Sequence, residues 1–367
     1  MERREAWIVL NLISGIGPVR VRRLLEHLGE PQRILQTAPR DLERIAGIGP
    51  ETARAIADWE QSVNLKGELD SAQNAGVTIL TADDADYPEN LREIHDPPLV
   101  LYMLGKMDSR DVRSIGVVGS RETSHYGTET AKRLSYQMAF NGIPVISGLA
   151  RGIDTAAHQG ALAAKGRTVA VIGSGLGEMY PPENEPLARK IIEGGGAVIS
   201  EFPMGMKPQP QNFPMRNRIV SGMSIGTLVV EAGLRSGALI TARMALDQGR
   251  TLFAVPGRID SPRSKGTHAL IKEGAHLVEE VEDVIRPFGF LFPPGSLPEN
   301  PSSAPSAPGL SESESVLYGL LEGGDLHMDV LIEKSGLSAP VVSSTLLALE
   351  LKKIIRQLPG RHFTRTR

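Results

Sequence analysis

"SIGVVGSRETSHYGTETAKRLSYQMAFNGIPVISGLARGID", residues 114–154, contains two short β-branched runs separated by a stretch with helical periodicity. The first run ends at Gly119 and the second at Gly148, and an arginine follows each glycine closely, Arg121 and Arg151. Short apolar runs that alternate with helical patterns are typical of strands in a parallel sheet. The segment therefore predicts a strand, a helix and a second strand, with small and cationic residues at each strand end.

The same alternation continues along the chain. Four further runs read TVAVIG (168–173), AVISEF (197–202), GTLVVEA (226–232) and TLFAVPG (251–257), with helical patterns between them. Nearly continuous apolar strands need cover on both faces, and the intervening helices supply it. The predicted fold class is α/β, with a doubly wound and mostly parallel sheet.

The carboxyl ends of these strands share glycines, cations and hydroxyls, and ligands of such sheets bind beyond these ends. Small residues let a ligand approach the backbone, helix N-termini favour anions, and cations neutralise phosphates. The cations of this strand-end rim are Arg121, Arg151, Lys207, Arg216, Arg218, Arg235, Arg258 and Lys265. Further contacts are expected at Gly119, Ser120, Gly148, Gly173, Gly175, Asn217, Ser236 and Gly237. We predict a polyanion site here, the alternative being a solvated surface without a ligand.

Composition sets outer limits on the function. The chain of 367 residues has a net charge of −3, but residues 111–290 contain 20 Lys and Arg against 17 Asp and Glu, a local balance of +3. A local basic groove therefore remains compatible with the acidic total. The absence of cysteine excludes disulfides and thiolate metal sites. No apolar run approaches the roughly 18 residues of a membrane span, and no cleavage pattern is present, so we expect a cytoplasmic protein.

Two smaller modules flank the core. "SGIGPVRVRRLL" (14–25) and "AGIGPETARAIA" (46–57) repeat Gly-Ile-Gly-Pro, each before a helical pattern. Glycine allows a tight hairpin and proline suits the first helical turn, so the repeat resembles a tandem helix-hairpin-helix module of DNA-binding proteins. Its charge is balanced, with 9 basic and 9 acidic residues in 1–63. Duplex DNA contact and a role in packing or protein contacts both remain open.

The C-terminal segment predicts a helix, a helix-turn-helix and two short strands around "LPGR", a pattern that resembles a winged helix. The second helix of the helix-turn-helix, from Ser338, has few side chains that could read bases, which favours partner binding or packing. Arg361, Arg365 and Arg367 of the predicted wing keep DNA contact open. The predicted domains are 1–63 (helix-hairpin-helix, SAM-like), 64–290 (core), a Pro- and Ser-rich linker at 291–312, and 313–367 (winged helix).

Signals for catalysis are weak. The chain has no P-loop or zinc-protease motif, and Glu178 replaces the last glycine that a dinucleotide pattern requires. His158 and His268 are interpreted as packing or capping residues. Glu201 and Glu231 end buried strands and are expected to orient neighbouring cations or amides, although paired carboxylates can also perform acid/base chemistry. We expect no cofactor, no metal and no enzyme activity.

Several motifs occur together in a fixed order. They are VVGSR, SGLARGIDTAAHQGAL, GLGEMYPPEN, SEFPMG, NFPMRNRIVSGMS, VVEAGLRSGALITARMALDQGR and FAVPG. Together they closely resemble the DNA-processing protein DprA (Smf) family over about residues 75–280. The resemblance implies an extended Rossmann-like core that binds single-stranded DNA, protects it and helps to load the RecA recombinase during natural transformation, without catalysis. It also implies DNA contacts by Gly119, Ser120 and Arg121, and by Lys207 and Phe213 in the loop before the RNR motif.

A second resemblance keeps an enzyme alternative open. "GTLVVEAG" is similar to the G-G-x-G-T-x-x-E signature of Rossmann-like nucleotide phosphoribohydrolases. Ser224 and Ile225 stand where that signature has its glycine pair. This departure weakens the enzyme interpretation, and the flanking modules favour DNA.

The segment "GTHALIKEGAHLVEEVEDVI", residues 266–285, is expected at the edge of the sheet. It carries apolar residues that need cover, and members of the family dimerise through their cores. We therefore predict a homodimer. The expected contacts are His268, Leu270, Ile271 and Leu277.

Overall fold

The computed structural model describes residues 1–289, 310–321, 324–352, 354–358 and 360–365. The contacts within the chain divide it into two compact units, one containing the described residues up to 289 and the other those from 310 onwards. The predicted linker 291–312 lies outside the described residues except for its last three positions, and Arg367 also lies outside them.

A nine-stranded sheet organises the first unit. Its strands are β1 (Thr78–Thr81), β2 (Val100–Gly105), β3 (Ile115–Val118), β4 (Val145–Ser147), β5 (Thr168–Val171), β6 (Ala197–Ser200), β7 (Gly226–Val229), β8 (Thr251–Ala254) and β9 (His276–Leu277). The order across the sheet is β1-β2-β6-β5-β4-β3-β7-β8-β9. All pairs from β6 to β9 are parallel, so the six predicted strands and their parallel pairing are confirmed. The antiparallel extension by β1 and β2 was not predicted.

Helices cover this sheet and form the N-terminal module. They are α1 (Arg3–Leu12), α2 (Pro18–Leu28), α3 (Pro31–Gln36), α4 (Pro39–Leu42), α5 (Pro50–Ala57), α6 (Trp59–Ser62), α7 (Leu65–Asn74), α8 (Glu89–Arg92), α9 (His125–Phe140), α10 (Ile153–Ala163), α11 (Glu185–Glu193), α12 (Asn212–Met223), α13 (Ala238–Asp247), α14 (Lys265–Lys272) and α15 (Val281–Ile285). The inner strands β3 to β7 are buried along their whole length, as expected for a sheet covered on both faces.

The N-terminal helices pack directly on the sheet. α2 and α5 each begin at the proline of a Gly-Ile-Gly-Pro repeat, as the sequence predicts. Trp7 and Ile8 of α1 belong to the same hydrophobic cluster as Tyr102 of β2. The Asn11 side-chain amide donates to the carbonyl of Glu201 at 3.2 Å. Residues 1–63 therefore share a core with the sheet, and the boundary at residue 63 remains a prediction.

The second unit is a winged helix. It contains α16 (Glu312–Leu320), β10 (Leu326–His327), α17 (Met328–Ser335), α18 (Ala339–Leu351), β11 (Ile355–Leu358) and β12 (His362–Arg365). The three strands pair in the order β10-β12-β11. Leu317, Leu331, Leu346 and Phe363 form its core together with their neighbours. The predicted helix-turn-helix followed by two strands is confirmed.

Candidate nucleic-acid interface

An open groove lies where the connections of the sheet reverse direction. The chain leaves β3 towards β4 on one side, and β7 occupies the other side of β3. In doubly wound sheets this switch point leaves a crevice at the carboxyl ends of the two strands. A groove of about 790 Å³ lies there, lined by Val118 at the end of β3, by Gly119 after it, and by Gly233 and Arg235 after β7. We call it the switch-point groove.

The Gly-Ser-Arg sequence after β3 is fixed by its backbone. The Ser120 amide donates to the carbonyl of Glu231 at 2.7 Å, and the Ile153 amide donates to the carbonyl of Ser120 at 3.2 Å. A Cβ at Gly152 would lie 2.3 Å from the Ser120 carbonyl oxygen, so only glycine permits this close approach. These contacts hold the backbone that carries Arg121 at the floor of the groove.

The guanidinium of Arg121 is exposed in the groove. It lies 5.1 Å from the ring centroid of Phe213, which belongs to the first turn of α12. Among the described residues, no carboxylate lies within 4.0 Å of it. Within the described part of the chain Arg121 therefore has no ion-paired carboxylate, although its charge acts on nearby Asp154, and its guanidinium lies over an aromatic ring. This arrangement suits a phosphate and a neighbouring base.

A second arginine lies beneath the first. Arg216 is only 3% exposed, and its Nη1 donates to the carbonyls of Gly148 (2.6 Å) and Val171. Burial lowers its pKa to about 10, with a smaller effect of Arg121 in the same direction. At Gly148 a Cβ would lie 2.5 Å from Nη2 of Arg216, which explains the glycine. Arg216 remains protonated at neutral pH and adds positive charge below the groove.

Asp154 faces this arginine from the start of α10. Its carboxylate accepts from the amides of Gly148 at 3.1 Å and Ala150 at 3.4 Å. Burial raises the pKa of Asp154 to about 6, and the positive charge of Arg216 opposes this shift. Asp154 therefore organises the backbone after β4.

Two aromatic rings form one wall of the groove. Phe213 and Tyr180 lie 5.6 Å apart between ring centroids with planes tilted by 55°. A Cβ at Gly173 would approach the Phe213 ring to 2.9 Å, so Gly173 makes room for the ring. Arg151 lies 6.0 Å over Tyr180 and pairs with Glu183. Unlike Arg121, Arg151 already has a carboxylate partner.

The remaining predicted site residues separate into two groups. Ser236, Gly237 and Asn217 line the groove, and Lys207 is exposed on the loop before α12. Gly175 is buried, and its amide donates to the carbonyl of Met206 at 2.8 Å. It therefore fixes this loop and does not line the groove.

Arg218 requires a correction. The sequence predicts it in the strand-end rim, but its guanidinium is buried and pairs with Glu201 at 2.6 Å and with Asp96 at 2.9 Å. It joins α12 to the end of β6 and is unavailable to a ligand. Arg263 was not predicted: it lines the groove, and its Nε donates to the carbonyl of Glu122 at 3.0 Å.

The charge of the groove favours an anion. Its lining contains four arginines, Arg121, Arg216, Arg235 and Arg263, and two carboxylates, Glu122 and Asp154. The lining therefore carries a net charge of about +2, and its concentration around one crevice strengthens the local field.

The carboxylates and histidines considered for catalysis make structural contacts. Glu231 accepts from the Thr123 hydroxyl at 2.8 Å and from the Ser124 amide at 2.9 Å, at the start of α9. Glu201 pairs with Arg218.

The two histidines also make structural contacts. His158 is buried with its Nδ1 2.7 Å from the Thr168 hydroxyl, and burial lowers its pKa to about 3. His268 bonds to the backbone of Gly257.

The predicted dimer segment lies at the sheet edge as β9 and α14. Leu277 is 44% exposed, whereas Leu270 is 5% exposed and packs in the core. Ile271 is half-buried against the same cluster. Leu270 is therefore corrected from a surface contact to a core residue, because it faces the sheet on the inner side of α14.

Two other kinds of site are absent from the part of the chain that the structure describes. No group of three or more His, Asp or Glu side chains there is arranged to hold a metal ion. No helix there is both long and apolar enough to cross a bilayer.

Comparison with protein families matches all three modules. The family model described as DNA recombination-mediator protein A matches residues 78–289, that of the DprA winged helix domain matches 301–361, and that of the SAM-like helix-hairpin-helix tandem matches 9–58. Protein Smf of Escherichia coli is 42% identical over 77% of this chain and 76% of its own length. Protein Smf of Synechocystis is 31% identical over 98% of both chains.

Two solved structures share the fold. The X-ray structure of DprA from Streptococcus pneumoniae has a TM-score of 0.68 at 35% identity and covers 78% of this chain and 98% of that one. A structure of DNA processing protein A from Helicobacter pylori, described for its single-stranded DNA binding mode, has a TM-score of 0.51 at 27% identity. It covers 58% of this chain and 95% of that one.

Proposed function

Because the chain belongs to the DNA recombination-mediator protein A family, we propose that it binds single-stranded DNA in the switch-point groove, protects it and helps to load the RecA recombinase. The proposed setting is natural transformation and recombination in the cytoplasm. The observation that carries the proposal is Arg121, an exposed cation without a carboxylate partner among the described residues, stacked on Phe213. Phosphate contact and base stacking together are the usual means of binding single strands.

The groove favours backbone recognition over sequence reading. Its arginines are suited to phosphates, and among the described residues that line it Phe213 and Tyr180 are the only aromatic ones. With aromatic residues at 4% of the chain, stacking at many successive bases is not available. We therefore propose binding with little sequence preference. A titration with single-stranded and duplex DNA across a range of salt concentrations tests this.

If about 4 to 6 phosphates are neutralised, log K should fall against log salt with a slope of roughly −3 to −4. Single strands should bind more tightly than duplex of equal length. A slope near zero would contradict an electrostatic groove.

Loading of the recombinase requires a separate measurement. The full chain should increase DNA-dependent ATP hydrolysis by RecA on a single strand that is already covered by a single-strand-binding protein. Arg121→Ala should reduce this increase in proportion to its loss of DNA binding. An unchanged increase would separate loading from the groove.

The other proposals concern assembly and the flanking modules. We propose a homodimer that includes the exposed Leu277, and duplex DNA or partner contact by the N-terminal module and the winged helix. We also propose binding without catalysis and without a cofactor, since Glu231 is engaged with Thr123 and Ser124. Release of free base from nucleoside monophosphates that disappears in Glu231→Gln would favour the phosphoribohydrolase alternative.

A further inference from the structure

Tyr180 lies where three cavities meet. It lines the switch-point groove, a small recess of about 20 Å³ beside Arg121 and Arg216, and a second cleft of about 560 Å³ on the far side of the loop before α11. The loop before α12 also borders both large cavities, through Pro210 on the groove and Pro208 on the cleft. The groove and the cleft are therefore adjacent and share two walls.

The second cleft has an apolar floor. Besides Tyr180, seven apolar residues line it between β2, the loop after β5 and α11: Leu104, Leu176, Met179, Pro182, Ala188, Ile192 and Pro208. Exposed Lys207 precedes Pro208 in the chain, next to the lining of the cleft. Tyr180 borders this floor, and an aromatic face of this kind can stack a base of a single strand.

The charged groups of the cleft are few. Arg189 and Glu185 pair with each other at 2.6 Å, so their charges largely cancel. Glu178 is exposed, and no cation lies within 4.0 Å of its carboxylate among the described residues. Among the described residues that line the cleft, Glu178 therefore leaves one uncompensated negative charge. This charge opposes a phosphate backbone, so contact with a strand must come from the apolar floor and Tyr180, and removal of the charge should strengthen binding.

We propose that the bound DNA strand passes over Tyr180 and continues into this second cleft, with bases on the apolar floor and the backbone beside Lys207. The proposal rests on the proposed function of the groove and extends its footprint. Continuity of the two cavities favours the strand as occupant, because a strand leaving the groove at Tyr180 meets the cleft next. A basic peptide is the competing occupant, and its presence there would leave DNA binding independent of the cleft.

Reversing the charge of Glu178 should increase the affinity for DNA, and a misfolded protein would not show such an increase. The full chain and its Glu178→Lys variant are titrated with labelled oligothymidylates of about 5 and about 20 nucleotides. The variant should bind the long strand about 3- to 10-fold more tightly. Its salt slope for the long strand should steepen by about 0.7, and affinity for the short strand should not change. The affinity of each variant is divided by that of the parent protein for the same strand, so the larger number of binding positions on a long strand does not affect the result.

Glu193→Lys is the matched control. Glu193 is an exposed carboxylate at the end of α11 and does not line the cleft. The same charge change there should have little effect on either strand. Equal gains in both variants would mean that only the total charge matters, and this would overturn the proposal.

Substitution of Tyr180 provides the second measurement. Tyr180→Ala should reduce the ratio of long-strand to short-strand affinity about 3- to 10-fold, because the strand loses its stacking surface between the two cavities. Tyr180→Phe should keep the ratio. If Glu178→Lys leaves the long strand unchanged, or Tyr180→Ala lowers both affinities equally, the strand ends in the groove and the proposal is wrong. Absence of binding at either length would instead contradict the proposed function itself.

Discussion

Removal of the Arg121 side chain should weaken binding of single-stranded DNA without affecting the fold. Its guanidinium is exposed and has no carboxylate partner among the described residues, so Arg121→Ala breaks no internal ion pair. A charge-assisted hydrogen bond to a phosphate contributes about 1.5 to 3 kcal/mol. In the free protein the same group stacks on Phe213, an exposed cation–π contact that contributes about 0.5 to 1 kcal/mol.

The stack must be given up when Arg121 turns to a phosphate, so the two contributions oppose each other. The net loss in the variant is then about 1.5 kcal/mol, roughly 10-fold in Kd. One fewer neutralised phosphate should reduce the salt slope by about 0.7. Fluorescence anisotropy with a labelled oligothymidylate at several salt concentrations measures both quantities.

Two variants control the interpretation. Arg243→Ala removes an equally exposed arginine from α13 outside the groove, and it should change Kd by less than about twofold because distant charges are screened. Arg121→Lys should keep the salt slope but lose the planar stack. The reasoning is refuted if folded Arg121→Ala binds as the parent does, or if Arg243→Ala weakens binding equally.

Three other changes test separate contacts. Arg218→Ala should lower the free energy of unfolding by about 3 to 5 kcal/mol, since it leaves Glu201 buried without its partner. Urea denaturation measures this change. A decrease of less than about 1 kcal/mol would contradict the stabilising role of the buried pair. Burial raises the pKa of Asp154 to about 6, so lowering the pH from about 8 to about 5 removes a negative charge from the lining of the groove, and DNA binding should tighten several-fold. Asp154→Asn should remove this pH dependence. Equal pH profiles in the parent protein and the variant would contradict the role of Asp154. Because this pKa lies above that of the unfolded chain, the same group favours folding at pH below about 4 and loses this contribution as pH rises through about 6. Leu277→Arg should convert the proposed dimer to a monomer in light scattering, and an unchanged mass would exclude Leu277 from the contact.

Strands were predictable from the sequence where the local pattern of apolar residues matches the position of the segment in the fold. The parallel strands were predictable because their apolar runs are nearly continuous, and their carboxyl ends must then lie on one edge. β1 and β2 were missed because their short apolar runs lie in an acidic segment, where only the four-residue α8 separates them. No local signal distinguishes a strand extension of this kind from a loop.

The roles of individual arginines could not be assigned from the sequence. Arg216 and Arg218 stand two residues apart in one motif, yet the first lies under the groove and the second pairs with Glu201. A difference of two positions on α12 turns the side chains to different surroundings. Leu270 was misplaced for a related reason, because an apolar residue on an edge helix can face either the core or a partner.

Photo-crosslinking tests the location of the DNA most directly. The full chain is irradiated with a single strand that carries 5-iodouracil in place of thymine, and the attached peptides are identified by mass spectrometry. If the strand lies in the groove, adducts are expected at Phe213 or at residues beside it on the groove, and they should be reduced in Arg121→Ala in proportion to its weaker binding. Adducts confined to the N-terminal helices or the winged helix, with none on the groove, would contradict this location.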